Sequence, residues 1–191
     1  MIQNHPGIYI HIPFCSSKCG YCDFYSVTNL TLTDVFIDAL LQEVRLTAER
    51  LNSSRVFDSI YFGGGTPSLF STDQLRKILD SLSLNFCLSD DVNITVEANP
   101  GTLNEHKLKE IKNLRVNRLS VGFQSFIDSE LKLLNRIHSA NDNVESYQLA
   151  RSAGYEDISI DLIFALPGQT INDWIYSLDK AIELNPEHIS V

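Results

Sequence analysis

Short apolar runs of β type alternate along the chain with longer stretches whose apolar residues recur at helical spacing. That is the pattern of repeated strand–helix units and a parallel sheet. IYIHI (8–12) opens the series, and Thr33 is placed to cap a helix in which Phe36, Leu40, Val44 and Ala48 share one face. DSIYF (58–62) reads as the second strand, and Ser71 with Gln74 forms an S-x-x-Q capping box before a helix carrying Leu75, Ile78, Leu79 and Leu82. NITVEA (93–98) is the third strand; Thr102 and Glu105 form another cap signature before Leu108 and Ile111, and RLSVGF (118–123) is the fourth strand. Residues 128–154 read as one or two helices ending near Gly154, a left-handed cap. DISIDLIF (157–164) is a fifth strand, Thr170 caps the next helix, and HISV (188–191) is a sixth strand barely begun.

No low-complexity segment or Pro/Gly/Ser-rich linker divides the chain, so the reading places no internal domain boundary. Five strand–helix units and the start of a sixth predict an open or partial α/β barrel of parallel strands, with doubly wound packing as the rival architecture. The fold is expected to continue past residue 191.

Composition narrows the class. With 43% hydrophobic residues the chain can build a substantial core, which argues against general disorder. The net charge is −9, from 24 acidic and 15 basic residues, and no Lys/Arg-rich run is present to track a phosphate backbone. Nucleic acid is therefore not an expected partner. The start, MIQNHPGIYIHIPF, lacks the basic-then-apolar order of a signal peptide, and no run of apolar residues is long enough for a membrane span. A soluble cytoplasmic protein is the expectation.

FCSSKCGYCDF (14–24) places Cys15, Cys19 and Cys22 within a few residues of one another, with Cys87 the one further cysteine. Disulfides at these spacings would close small, strained loops, and a reducing compartment leaves such thiols free for metal. Three readings stand at this point: a chance cluster of thiols, a zinc site needing a fourth ligand such as His11, and an iron–sulfur site. His11 alternates within an apparent strand and reads more simply as a packed or hydrogen-bonded side chain. Three thiolates can hold three irons of a 4Fe-4S cluster and leave the fourth iron open to a small molecule, which explains three rather than four. Gly20 gives the loop backbone freedom, and Tyr21 either covers one side or simply packs.

The other unusual residues fall at strand C-termini, where parallel α/β folds gather their working groups. CSSKCGYC follows strand one, GGGTPS (63–68) strand two, EANPG (97–101) ends strand three, GFQSF (122–126) strand four, and ALPGQT (165–170) follows strand five. GGGTPS offers bare amides beside a cofactor but lacks the Lys and spacing of a P-loop. Glu97 is either a solvated strand end or a group that recognises ribose hydroxyls or an amine. Gln124, Arg136 and Asp161 sit near the same rim, against the plain alternative of scattered surface polarity; His106, His138 and Cys87 read as structural.

C-x3-C-x2-C with an aromatic before the last Cys, followed by GGGTPS, resembles the radical S-adenosylmethionine (radical SAM) superfamily. YIHIPFCSSKCGYCDF, VEANPGTL, RLSVGFQSF and DLIFALPGQT together resemble its oxygen-independent coproporphyrinogen III oxidase branch, and within it the HemW-type heme chaperone subgroup. The resemblance implies a partial barrel of six strand–helix units, cut here at the sixth strand, with the family's C-terminal region absent. It implies that Cys15, Cys19 and Cys22 hold the cluster, and that Tyr9, Gly64 and Glu97 contact cluster-bound S-adenosyl-L-methionine. Tyr21, Gly65, Thr66, Gln124, Arg136 and Asp161 match positions that contact a second such molecule in the oxidase. Electron transfer to the sulfonium would then give a 5′-deoxyadenosyl radical. The oxidase pattern carries a further Cys two residues after the third ligand, where this chain has Phe24. That departure favours a heme-binding and heme-delivery protein over the oxidative decarboxylase of porphyrin biosynthesis, with a zinc-stabilised interaction module as a third class. The implied partners are heme or porphyrin, a heme-accepting protein, an electron donor and a membrane-associated partner.

Overall fold

The computed structural model describes residues 5–51 and 54–191. The first residues of the segment read for a leader lie outside them. Strands β1 (Gly7–Ile12), β2 (Val56–Gly64), β3 (Cys87–Ala98), β4 (Arg118–Gln124), β5 (Asp157–Leu162) and β6 (His188–Ser190) form one sheet in the order β1-β2-β3-β4-β5-β6. Every adjacent pair is parallel. A doubly wound sheet reverses its strand order at a switch point. Here the order never reverses, so the sheet winds in one sense and β1 and β6 are its two edges, the topology of a partial barrel.

Alternation along the strands separates two faces. Ile10, Ile12, Ile60, Phe62, Ile94, Val96, Leu119, Val121, Ile158 and Ile160 are buried in one apolar cluster with residues of the covering helices. The intervening positions are mostly polar: Tyr61 registers with Thr95, Thr95 with Arg118, and Arg118 with Asp157. One layer nearer the strand C-termini, Glu97 registers with Ser120, Ser120 with Ser159, and Ser159 with His188. Parallel sheets are ordinarily apolar on both faces. A polar inner face suits a barrel that holds a polar guest and does not fill its own interior.

Helices α1 (Thr33–Leu51), α2 (Thr72–Asn85), α3 (Glu105–Asn113), α4 (Asp128–Leu133), α5 (Ala140–Ser152) and α6 (Ile171–Glu183) return the chain between strands. Helix α2 carries the expected capping box: Ser71 Oγ accepts the Gln74 amide and the Gln74 side chain accepts the Ser71 amide. Its Leu75, Ile78 and Leu82 are fully buried, each contributing about 1.5–3 kcal/mol of apolar burial. Thr170 caps α6 as expected, with Asp173 completing the box. The 128–154 stretch divides into α4 and α5, the latter capped by Ser139 and followed by Gly154 at φ +87°.

Two expected caps are displaced. Helix α3 is capped by Asn104, whose side chain accepts the Lys107 amide, while the Thr102 hydroxyl donates to Asn99 O at 2.6 Å. Helix α1 continues directly from a 3-10 turn, Leu30–Leu32, capped by Asn29; Thr33 is already helical and donates its hydroxyl to Leu30 O. In both cases an Asn side chain takes the capping place and the threonine bonds locally, a competition open to any Ser, Thr, Asn or Asp near a helix start. The buried face of α1 is Ile37, Leu40 and Val44, with Phe36 and Ala48 only partly covered.

Candidate cofactor site

The cysteine loop follows β1 and is closed at its base by main-chain pairing. Phe14 and Val27 form a parallel bridge; Cys15 N donates to Val27 O at 3.0 Å and Val27 N to Pro13 O at 2.7 Å. The segment after β2 lies against the same stretch, with Gly65 N donating to Ile12 O at 2.8 Å and Thr66 N to Phe14 O at 2.7 Å. A Cβ on Gly65 would stand 2.6 Å from Phe14 O, so glycine is what lets the two backbones meet. The expectation that GGGTPS offers bare amides is corrected here: the Gly64 amide is also taken, donating to Glu97 Oε2 at 3.0 Å.

Cys15, Cys19 and Cys22 line a cavity of about 580 Å³ at the C-terminal end of the sheet. Tyr21, Gly64, Gly65, Thr66 and Glu97 line it from the cysteine loop, β2 and β3; Gln124, Arg136 and Asp161 line it from the β4 and β5 side. Of the residues singled out from the sequence, Tyr9 is not at this wall. It lies on β1, stacked on Tyr61 at a centroid distance of 6.1 Å and sharing a hydrogen bond with His11 Nδ1 at 3.1 Å. His11 also bonds Tyr25 O at 3.0 Å, so both ring nitrogens are engaged within the protein.

The carboxylates are set by their surroundings. Glu97 accepts the Tyr61 hydroxyl at 2.8 Å as well as the Gly64 amide; burial raises its pKa, and these two bonds partly oppose the rise. It is not the solvated strand end that its position suggested. Asp161 is pushed up to about 6, chiefly by burial, with the Glu97 charge adding to the rise and Ser120 opposing it; Ser120 Oγ reaches both carboxylate oxygens at 3.1 Å. Burial also pushes the Tyr21 hydroxyl up to about 12, against the Arg136 charge. Gln124 has φ +68°, and the chain behind it is tied down by Ser125, whose hydroxyl donates to the buried Glu130 at 2.5 Å.

Two of the three sulfurs receive hydrogen bonds. Thr66 Oγ1 donates to Cys15 Sγ at 3.6 Å, and Arg136 donates to Cys19 Sγ at 3.7 Å. Asn99 joins these donors, its amide giving a hydrogen bond to Thr66 Oγ1 at 3.1 Å and accepting one from Arg136 at 2.6 Å. Asn99 and Ser120 are not legible as site residues from the sequence. Asn99 is visible only as part of EANPG, where an Asn before Pro reads as a turn former, and Ser120 only as an interior strand position. His138 is buried against Phe123 O and held neutral, its pKa down near 4 from burial and the Arg136 charge.

The donor set fits a 4Fe-4S cluster with one open iron: three thiols on one short loop, hydrogen-bond donors aimed at two of them, and a cavity beside them. Among the described residues no three His, Cys, Asp or Glu side chains converge on a single ion position. One zinc would draw its thiolates to about 2.3 Å each, whereas a cubane spreads them over separate irons.

A family model described as the Radical SAM superfamily matches residues 9–181. The heme chaperone HemW of Haemophilus influenzae is 39% identical over 191 residues, covering 96% of this chain and 49% of that protein. HemW of Bacillus subtilis is 41% identical over 186 residues, covering 96% and 48%. The chain thus spans about half the length of the curated relatives it matches. Among solved structures, coproporphyrinogen III oxidase (HemN) from Escherichia coli superposes with a TM-score of 0.86 at 31% identity, covering 96% of this chain and 43% of that one. The family match runs from Tyr9 within β1 through most of α6, the whole of the cavity wall included, and the chain belongs to the radical SAM superfamily.

Proposed function

We propose that this chain is the cofactor-binding core of a heme-trafficking protein, in which Cys15, Cys19 and Cys22 hold a 4Fe-4S cluster and the adjoining cavity takes S-adenosylmethionine. Membership of the superfamily implies both cofactors. When bound, the cluster would supply single electrons, and the three thiols of this loop would hold three of its four irons. The chain's own residues position and shield. Glu97 and the Gly64 turn shape one wall, Arg136 and Gln124 the other, and Asp161, its carboxyl pushed up to about 6, holds a proton at the far rim in mildly acidic solution and gives it up towards neutral pH.

The observation that favours heme handling over decarboxylation is Phe24. It lines the cavity beside Cys22 and leaves 66% of its surface exposed, at the position where the oxidase pattern carries a thiol. A decarboxylase must hold a propionate for hydrogen abstraction, and an apolar ring removes an ionisable group from that place. The HemW relatives support the same reading. Heme, a heme-accepting protein and an electron donor are the partners it entails. The cytoplasm, whose reducing conditions keep three close thiols free, is the compartment. Among the described residues no helix is long and apolar enough to cross a membrane.

The test uses full-length protein purified without oxygen. It should bind heme and pass it to an acceptor, and should not convert coproporphyrinogen III to protoporphyrinogen IX with S-adenosylmethionine and reductant. Multiple turnovers of decarboxylation would instead establish the oxidase reading, which the HemN superposition keeps as the runner-up.

A further inference from the structure

We infer that Asn99 is a positioning residue that sets the reduction potential of the cluster by holding Thr66 and Arg136 as hydrogen-bond donors on the sulfurs of Cys15 and Cys19. The inference rests on the cluster reading above.

The geometry uses both halves of one amide in opposite senses. Asn99 Nδ2 donates to Thr66 Oγ1 at 3.1 Å, which fills an acceptor site on that hydroxyl and leaves its single proton for Cys15 Sγ at 3.6 Å. Asn99 Oδ1 accepts one Arg136 nitrogen at 2.6 Å, and Gly122 O accepts the same nitrogen at 2.7 Å. With that nitrogen pinned twice, the other terminal nitrogen is directed at Cys19 Sγ, 3.7 Å away. Asn99 is itself fixed: the Thr102 amide and hydroxyl both donate to Asn99 O, at 3.0 and 2.6 Å. It also stands between two spaces, since Cys19, Asn99 and Arg136 line both the main cavity and a second one of about 170 Å³.

One-electron reduction by an external reductant adds negative charge to the cluster and its sulfurs. Donors aimed at those sulfurs, one of them a full cation in a partly buried site, stabilise the added charge, so losing their alignment makes reduction harder. No common substitution copies the amide. Asn99→Ala removes both bonds. Asn99→Asp keeps an acceptor for Arg136 but cannot donate to Thr66. The Thr66 proton is then drawn to the new carboxylate and away from Cys15, and a negative charge is added beside the sulfurs.

The experiment is a redox titration of full-length protein, reconstituted anaerobically with iron and sulfide, reduced with titanium(III) citrate and followed by EPR without S-adenosylmethionine. Asn99→Ala should lower the equilibrium constant for one-electron reduction about tenfold, a midpoint shift of about 59 mV to more negative potential, with wild-type iron content. Asn99→Asp should shift it further in the same direction. Thr66→Val should reproduce part of the shift, and adding Asn99→Ala to it should move the potential less than Asn99→Ala does alone. Wild-type potentials in both Asn99 variants, or strictly additive shifts, would overturn the inference. Should Asn99→Ala fail to hold a cluster, Asn99→Asp, of the same size and shape, decides the question. A wild-type protein that takes up zinc and no iron overturns the cluster reading and this inference with it.

Discussion

Glu97 and Gly64 are joined across the wall of the cavity: one oxygen of the Glu97 carboxylate accepts the Gly64 amide at 3.0 Å while the other accepts the Tyr61 hydroxyl at 2.8 Å. Two donors converge on one acceptor group, and the turn after β2 is held by the end of β3. Glu97→Gln can keep its oxygen on the Gly64 amide but must then turn its NH2 to the Tyr61 hydroxyl, which can accept it, so the negative charge at the wall is lost while both contacts can be re-formed. The expected result is a weaker effect of S-adenosylmethionine on the EPR spectrum of the reduced cluster with little loss of stability in urea. An unchanged spectrum-titration curve in this variant would detach Glu97 from the ligand.

Gly64 itself has φ +109°, and a Cβ there would stand 2.4 Å from the His11 ring. Gly64→Val combines left-handed backbone strain with that clash. It should destabilise the full-length protein by about 1–3 kcal/mol and abolish the S-adenosylmethionine effect. Stability equal to wild type would mean that the β2 turn has more freedom than its contacts indicate.

Cluster content should separate the four thiols. Cys15, Cys19 and Cys22 line the cavity, whereas Cys87 is exposed at the first residue of β3, the opposite end of the strand from Glu97 and Ala98. Changing any of the first three to Ala should lose the 4Fe-4S absorbance and iron after anaerobic reconstitution; Cys87→Ala should keep both. Iron retained by all three loop variants, or lost with Cys87, would contradict the assignment.

Asp161 predicts a pH dependence with a definite sign. Its folded pKa is raised from 3.8 to about 6, so between these values the folded state binds more protons than the unfolded state. Its contribution is most favourable below about pH 4 and is lost as pH rises through about 6. Asp161→Asn, which can still accept from Ser120, should flatten this part of the stability curve. At pH 7 it should raise cofactor-free stability by on the order of 1–3 kcal/mol. A parallel pair of curves in urea unfolding from pH 4 to 7 would rule Asp161 out as the source.

Gln124 couples strain to function. At φ +68° a non-glycine residue carries a conformational cost that glycine does not. Gln124→Gly should therefore keep or modestly raise thermal stability while weakening S-adenosylmethionine binding, because the side chain leaves the cavity wall. A loss of stability comparable with that of Gly64→Val would show that the side chain serves packing instead.

Much of the fold is written locally. Strand positions follow from apolar runs that any reading of the chain detects, and the Ser71–Gln74 and Thr170 caps follow from residues only a few positions apart. The gathering of CSSKCGYC, GGGTPS, EANPG, GFQSF and ALPGQT at one end of the sheet follows from parallel strands alone, since every strand C-terminus then points the same way. The spacing of Cys15, Cys19 and Cys22 likewise puts three thiols on one short loop without any tertiary information. Other features depend on what folds against them. Asn104 and not Thr102 caps α3 because the Thr102 hydroxyl bonds Asn99, and the choice among nearby hydroxyls and amides is made by geometry that propensity does not carry. The amides of the glycine run are consumed by Ile12, Phe14 and Glu97, which only the approach of two strand ends could reveal. Asn99 reads as an ordinary turn residue until folding brings Thr66 to one side of its amide and Arg136 to the other. An amide's chemistry is the same at every Asn. Its partners, separated here by 33 and 37 residues of chain, are assigned by the packing of the barrel.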